Sequence, residues 1–132
     1  MTEKIETRID VEMQNLSSEG PRERLTSVLV DTSSPLSWVP SPILEALSIA
    51  RRKRRLFRKP DGTTVQRHVG EVLLHVGDRR TADEAVFAEI TDRVVVGARS
   101  LSGLNLRIDP GSRTLVDAGP APVGVAPDNA DS

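Results

Sequence analysis

Hydrophobic and polar residues alternate over residues 5–13, where every second side chain is apolar or threonine and the others are charged. A period of two places the apolar side chains on one face, so the pattern predicts a half-buried strand. Residues 25–30 become uniformly apolar toward their end, which predicts a second strand that is buried on both faces. Between them, residues 15–22 are rich in Ser, Gly and Pro and predict a loop.

Short elements separated by turn signals follow. Ser41 is expected to cap a short helix over residues 43–47, with Pro42 in its first turn. The later pattern predicts strands over residues 65–76, 85–90, 93–96, 106–109 and 114–116, and a helical turn over 98–104. Short strands with turns between them predict an all-β domain, built as a small barrel or sandwich.

A basic run, residues 51–55, precedes a turn signal at Pro60, Asp61, Gly62 and Thr63. The run suits contact with nucleic acid or an acidic peptide, but no aromatic stacking platform accompanies it. We therefore interpret residues 51–55 as a solvated connector.

Isolated ionisable residues carry little signal. We interpret Asp78, Asp83 and Glu84 as turn and surface charges. His68 and His75 lie seven apart in a strand region, on opposite faces, so we expect no metal site.

Composition narrows the function classes. The chain has 132 residues, 2% aromatics, no cysteine and a net charge of −1. The core is therefore expected to consist of aliphatic residues, and the chain is expected to have no disulfides. A net charge this small gives the chain no general attraction to nucleic acid or anionic membranes. We expect one domain over residues 1–118, a disordered tail over 119–132, no signal peptide and a cytoplasmic location.

The candidate chemistry lies where the second strand ends on Asp31, followed by the small residues Thr32, Ser33 and Ser34. A lone aspartate can simply cap a turn. Acid–base hydrolysis needs two carboxylates that share a proton, one to activate water and one to protonate the carbonyl oxygen. Asp117 begins the only other Asp-small-Gly triplet, and no helix signal follows it, so we expect the second carboxylate from a second copy of the chain.

An ordered set of motifs resembles the retropepsin-like aspartic proteases, in particular the compact bacterial type. The motifs are Leu29-Val30-Asp31-Thr32-Ser33-Ser34, Trp38-Val39-Pro40, Pro60-Asp61-Gly62-Thr63 and Val95-Val96-Gly97 followed by a helical turn. The resemblance covers residues 5–116. It implies a closed β-barrel with one or two short helices, a homodimer, a peptide or protein substrate, and no metal or organic cofactor.

The resemblance assigns roles to the matching residues. Asp31 would be the catalytic aspartate, and Thr32 would hydrogen-bond across the dimer axis. Ser34 is placed to donate to the carboxylate, and Ser33 stands where the family has glycine, which narrows the floor of the cleft. The turn at Pro60–Thr63 would be the tip of a flap that covers the substrate. Trp38 is interpreted as a packing residue where the loop ends.

The expected function is therefore endopeptidase hydrolysis by a homodimer, with water activated between Asp31 of each subunit. An alternative is a catalytically weak or inactive dimer of the same fold that binds an extended peptide or partner protein. An adaptor for nucleic acid, using the basic run, is the third reading.

Overall fold

The structure, a computed structural model, describes residues 6–17, 20–120 and 123. In this part of the chain the elements, in order, are β1 (Arg8–Gln14), β2 (Arg22–Val30), β3 (Ser37–Pro40), α1 (Ser41–Ala46), β4 (Lys53–Arg58), β5 (Thr64–Val76), β6 (Arg79–Ala88), β7 (Val95–Val96), α2 (Ala98–Gly103), β8 (Leu106–Ile108) and β9 (Leu115–Asp117). Strands dominate, so the predicted all-β class with two short helices is confirmed. Most of the predicted tail, residues 119–132, lies outside the described residues, as does the start of the first alternating pattern.

Seven strands form one sheet in the order β1-β2-β7-β3-β6-β5-β4. The long strand β5 also pairs with β1, with Met13 opposite Leu74, so that the pairings from β1 to β5 form a ring. Strand β4 pairs with β5 alone among the described strands and forms an edge, while β8 and β9 make a separate hairpin.

The short strand β7 lies between two strands that are consecutive in the sequence. It runs parallel to β2, with Leu29 opposite Val95, and antiparallel to β3, with Trp38 opposite Val95. The connection between β2 and β3, which we call the Asp31 loop (residues 31–36), must therefore pass the end of β7. This topology brings the loop against the residues that follow β7.

The main core collects aliphatic side chains from the ring strands and both helices, including Val11, Val30, Leu44, Leu74 and Leu101. A smaller cluster of Leu36, Val69 and Val86 is covered by Trp38 and Phe57. The prediction that Trp38 packs where the loop ends is confirmed.

The prediction that residues 25–30 are buried on both faces is wrong. Thr26 and Ser27 are exposed, and full burial in this stretch is limited to Val28 and Val30. The β1–β2 register shifts at this point, and Ser27 has a φ of +54° while its N–H donates to the Asp10 carboxylate. A bulge therefore turns this part of the strand toward solvent.

The predicted N-cap at Ser41 is also wrong, because α1 begins at Ser41 and Pro40 occupies the cap position. The Ser41 hydroxyl donates instead to the carbonyl of Ala88, at 2.9 Å, and so ties the start of the helix to the end of β6.

Residues 51–55 were expected to form a connector, and the structure places three of them, residues 53–55, in β4. Each residue from Lys53 to Arg58 has a partner in β5, so these residues form one arm of a hairpin. Charged side chains on an edge strand are common because they oppose pairing with other chains.

Strands β6 and β7 also differ from their predicted bounds. The strand predicted over residues 85–90 begins six residues earlier, at Arg79, and ends at Ala88. The strand predicted over 93–96 is reduced to Val95–Val96, because residues 89–92 form a turn in which the Asp92 N–H donates to the Glu89 carbonyl. Within the residues described, no helix is long and apolar enough to cross a membrane.

Candidate active site

Asp31 directly follows the last residue of β2. Its backbone N–H donates to the carbonyl of Val96 at 3.0 Å, which extends the pairing of β2 with β7 by one step. Its side chain is 21% exposed, whereas Val30 just before it is buried. The strand end therefore holds a carboxylate in contact with solvent while its backbone stays fixed to the sheet.

The Asp31 loop is held by the first turn of α2. The backbone N–H groups of Ala98 and Arg99 donate to the carbonyls of Ser34 and Pro35, at 2.8 and 3.0 Å. The first N–H groups of a helix have no partner within the helix, so the loop supplies the acceptors they need. Asp31 thus sits on a loop fixed by backbone bonds to the end of β7 and to the first turn of α2.

Gly97 allows this close contact between loop and helix. A Cβ built on Gly97 would lie 2.4 Å from the Leu36 oxygen and 2.7 Å from the Ser34 oxygen. Both are backbone atoms of the Asp31 loop, which cannot move aside as a flexible side chain can. The structure therefore brings Val95, Val96 and Gly97 together with Asp31, with glycine at the point of nearest approach.

A buried chain of hydrogen-bonded hydroxyl groups holds the backbone N–H of Gly97. The Gly97 N–H donates to Ser37 Oγ at 2.9 Å, Ser37 and Ser100 share a hydrogen bond of 2.6 Å, and Ser100 Oγ donates to Asp83 Oδ2 at 2.9 Å. Since each hydroxyl has one proton, Ser37 must donate to Ser100. The interpretation of Asp83 as a surface charge is wrong, because its side chain is only 5% exposed and ends this network.

The two serines of the loop have different partners from those predicted. The Ser34 hydroxyl donates to the carbonyl of Leu36 at 2.7 Å, so the expected bond to the carboxylate is not its role. Ser33 donates to Asp31 Oδ1 twice, from its backbone N–H at 3.0 Å and from its hydroxyl at 2.5 Å. The Ser33 side chain therefore adds a donor to one carboxylate oxygen and orients the other oxygen outward.

The other carboxylate oxygen lies beside Arg93, a residue that sequence analysis did not single out. Arg93 Nη1 is 3.4 Å from Asp31 Oδ2, and the arginine side chain is 67% exposed. No local sequence signal marks Arg93. The contact depends on the β2–β7 register, in which Val30 lies opposite Val96.

The predicted flap residues lie at the turn of the β4–β5 hairpin. Asp61 Oδ1 accepts from the Thr63 N–H and hydroxyl, at 2.9 and 2.6 Å, and Gly62 has a φ of +89°. The Thr63 hydroxyl, followed by its N–H, lowers the pKa of the exposed Asp61 carboxyl. The left-handed φ of Gly62 is one that residues with a side chain adopt rarely.

One arm of this hairpin packs on the strand that follows the Asp31 loop. The rings of Phe57 in β4 and Trp38 in β3 meet edge to face, with centroids 5.0 Å apart. Phe57 is half-buried, whereas its neighbour Leu56 is 70% exposed. The hairpin is therefore anchored close to its turn, because Phe57 pairs with Val65 in the next-to-last pair before the turn.

Thr32 is exposed and lines an open groove of about 320 Å³ with residues of α2 and β8. Asp117, the other candidate acid in the sequence, is ion-paired to Arg79 at 2.7 Å and accepts the Gly119 N–H. These contacts give Asp117 a structural role at the end of β9.

The two histidines have separate surroundings. His75 is buried and shares a 3.0 Å hydrogen bond with Gln14, while His68 contacts Arg51 and Arg54 at the start of β4. In the described ranges, no group of three or more His, Asp or Glu is arranged to hold a metal ion.

No model of a known protein family matches the chain, and a search of curated proteins finds no match.

Proposed function

We propose that the protein is a retropepsin-like aspartic endopeptidase that works as a homodimer. The observation that carries the proposal is the Asp31 carboxylate, which is partly exposed on a loop that backbone hydrogen bonds and Gly97 hold rigid. Catalysis needs such preorganisation, because an acid or base must stay in place while the substrate reacts. The ring of strand pairings supports the finer proposal of a closed retropepsin-like barrel.

A second Asp31 completes the proposed site. Asp117 is engaged by Arg79, which leaves no second Asp-small-Gly acid in this chain to face Asp31. Thr32 adjoins Asp31, is exposed and lines a groove, so it has a free side on which a second copy can pack. A two-fold axis through this region would pair each Asp31 with its equivalent.

The proposed reaction is attack by water on the peptide carbonyl. The ionised carboxylate takes a proton from the water as its oxygen bonds to the carbonyl carbon, and the protonated carboxylate donates its proton to the carbonyl oxygen. The tetrahedral intermediate then collapses. As the carbonyl re-forms and the C–N bond breaks, one hydroxyl of the intermediate gives its proton to the ionised carboxylate. The protonated carboxylate gives its proton to the amine nitrogen, so the two carboxylates again share one proton.

The chain's own residues prepare this step. Ser33 holds Asp31 Oδ1 through two hydrogen bonds, which leaves Oδ2 as the oxygen directed toward water and substrate. The flap turn, stiffened by Asp61 and Thr63, is proposed to close over the substrate and exclude water from the reacting atoms.

Cleavage of a peptide library by the purified protein tests the proposal, with Asp31→Asn as the variant and assays from about pH 3 to 7, where carboxylates titrate. We expect cleavage by the wild type and none by the variant. Thermal melting and sedimentation show whether the variant keeps its fold and dimer. Cleavage that persists in a folded Asp31→Asn dimer would disprove the role of Asp31.

The second candidate is a catalytically silent dimer that binds an extended peptide. The Ser33 side chain favours it, because its hydroxyl occupies Asp31 Oδ1 at 2.5 Å and its Cβ stands where the resembling proteases have glycine. A silent module would cleave nothing and would keep its peptide affinity in Asp31→Asn. Cleavage by the wild type therefore separates the two candidates, and Ser33→Gly tests the cause, since it should gain cleavage if the Ser33 side chain is what silences the site.

A further inference from the structure

The turn between β6 and β7, residues 89–93, is rigidly attached to the β4–β5 hairpin. Arg67 of β5 donates from Nε and Nη2 to the two carboxylate oxygens of Asp92, at 2.7 and 2.9 Å. Asp92 Oδ2 also accepts the Glu89 N–H at 2.8 Å, and the Arg67 and Asp92 side chains are only 11% and 5% exposed. A bidentate, nearly buried pair of this kind fixes geometry as well as charge.

Arg93, the next residue in the chain, connects this fixed turn with the candidate active site through its contact with Asp31. Its contact with Asp31 is a single one of 3.4 Å, and most of the arginine is in solvent. Exposed ion pairs of this kind are weak, because water competes for both charges. The backbone of Arg93 is therefore held in place, while its guanidinium can exchange one carboxylate for another.

We infer that Arg93 selects substrates with an acidic side chain directly beside the scissile bond. This inference rests on the proposed function, since it concerns the substrate class of the same site. The attacking water must lie within about 3.5 Å of both the carboxylate and the scissile carbonyl carbon. A guanidinium at 3.4 Å from Asp31 Oδ2 is then within side-chain reach of the residues flanking that carbonyl.

An acidic substrate residue would also release Asp31. A guanidinium that remains on Oδ2 competes with water for the oxygen that must accept a proton. A substrate carboxylate can bind the planar guanidinium through two parallel hydrogen bonds, which the geometry at Asp31 does not provide. Binding of the correct substrate would thus move Arg93 away from Asp31 and leave Asp31 to share a proton with its partner.

The face of the β4–β5 hairpin that carries Phe57 also bears a positive charge. Arg55 lies two residues from Phe57, on the same face of β4, with its guanidinium 5.5 Å from the Phe57 ring. A peptide beneath the flap would therefore meet positive charge from the hairpin as well as from Arg93. Ile90, which is fully exposed on the turn of residues 89–93, offers apolar contact.

Matched peptides test the inference. We would take a cleavable library sequence and compare Glu with Gln at the residue before and the residue after the scissile bond, using wild type, Arg93→Gln and Arg93→Lys. A charge-assisted hydrogen bond predicts a Glu preference in kcat/KM of about tenfold for the wild type. We expect Arg93→Gln to lose this preference while still cleaving the Gln peptide, and Arg93→Lys to keep part of it.

Arg80→Gln is the matched control, because it removes one exposed arginine from the opposite end of the β5–β6 hairpin. It should leave the Glu-to-Gln ratio unchanged. Equal cleavage of both peptides by the wild type, or a preference that survives Arg93→Gln, would overturn the inference and leave the proposed function standing. A wild-type dimer that cleaves neither peptide nor any library member would overturn both.

Discussion

Replacing Gly97 by alanine tests whether the Asp31 loop depends on its contact with the start of α2. The backbone at Gly97 has a φ of −93° and a ψ of 177°, which alanine adopts without strain. The cost of the substitution must therefore come from crowding. The added Cβ would lie 2.4, 2.6 and 2.7 Å from the Leu36 oxygen, the Leu36 carbonyl carbon and the Ser34 oxygen.

All three atoms belong to the backbone of the loop, so the crowding can be relieved only if the loop moves. Overpacking of a buried contact costs about 1–3 kcal/mol, and we expect the upper end because no side chain can rotate away. For a domain of this size, that corresponds to a fall in Tm of roughly 10 °C. A shift of Asp31 by about 1 Å would also lower kcat/KM by about 100-fold.

Thermal and urea unfolding measure the stability, and the library assay measures the activity. Gly111→Ala is the matched control, because its nearest neighbour would be an Asp109 carboxylate oxygen at 3.4 Å and the position is exposed. We expect a change within about 0.5 kcal/mol for the control. If Gly97→Ala were as stable as Gly111→Ala, the close packing of loop and helix would be refuted.

Two further predictions concern pH. The Arg67 guanidinium, followed by the Glu89 N–H, lowers the pKa of Asp92, so the stability from this pair is present above about pH 4 and is lost as pH falls through the lower, folded-state pKa. Asp92→Asn should cost on the order of 3 kcal/mol near neutral pH, and in urea unfolding the gap to wild type should narrow below about pH 4; a constant gap would contradict this assignment. Burial lowers the pKa of His75, so stability should fall as pH drops below about 6.5, where the unfolded chain takes up a proton first. His75→Gln, which can still donate to Gln14, should flatten that dependence between about pH 7 and 5, and an unchanged slope would show that another group titrates.

Local signals were enough for the elements that carry the candidate site. An apolar run that ends on Asp31, the turn residues around Gly62 and the pair of valines before Gly97 each predicted a structure that the chain forms. These signals work because strand burial and positive φ act over a few residues. The positions of these strand ends and of this turn could therefore be predicted without the fold, whereas the partners of Asp31 and Ser34 could not.

Other features depend on contacts between distant parts of the chain. Asp83 is buried because Ser100 and Ser37 supply the hydrogen-bond network, and nothing near Asp83 in the sequence indicates it. Residues 53–58 form a strand because β5 pairs with them, although four of the six are basic. The contact of Arg93 with Asp31 likewise follows from strand register alone.

Mixed dimers provide the most direct test of the central claim, that two chains each contribute Asp31 to one active site. Wild-type protein and Asp31→Asn would be allowed to exchange subunits at a fixed total concentration, and cleavage would be measured as the wild-type fraction varies. If only the symmetric wild-type dimer is active, activity follows the square of that fraction, so equal amounts give about a quarter of the wild-type rate. A linear fall, with about half the rate at equal amounts, would show that each chain acts with its own Asp31 and would contradict the shared site.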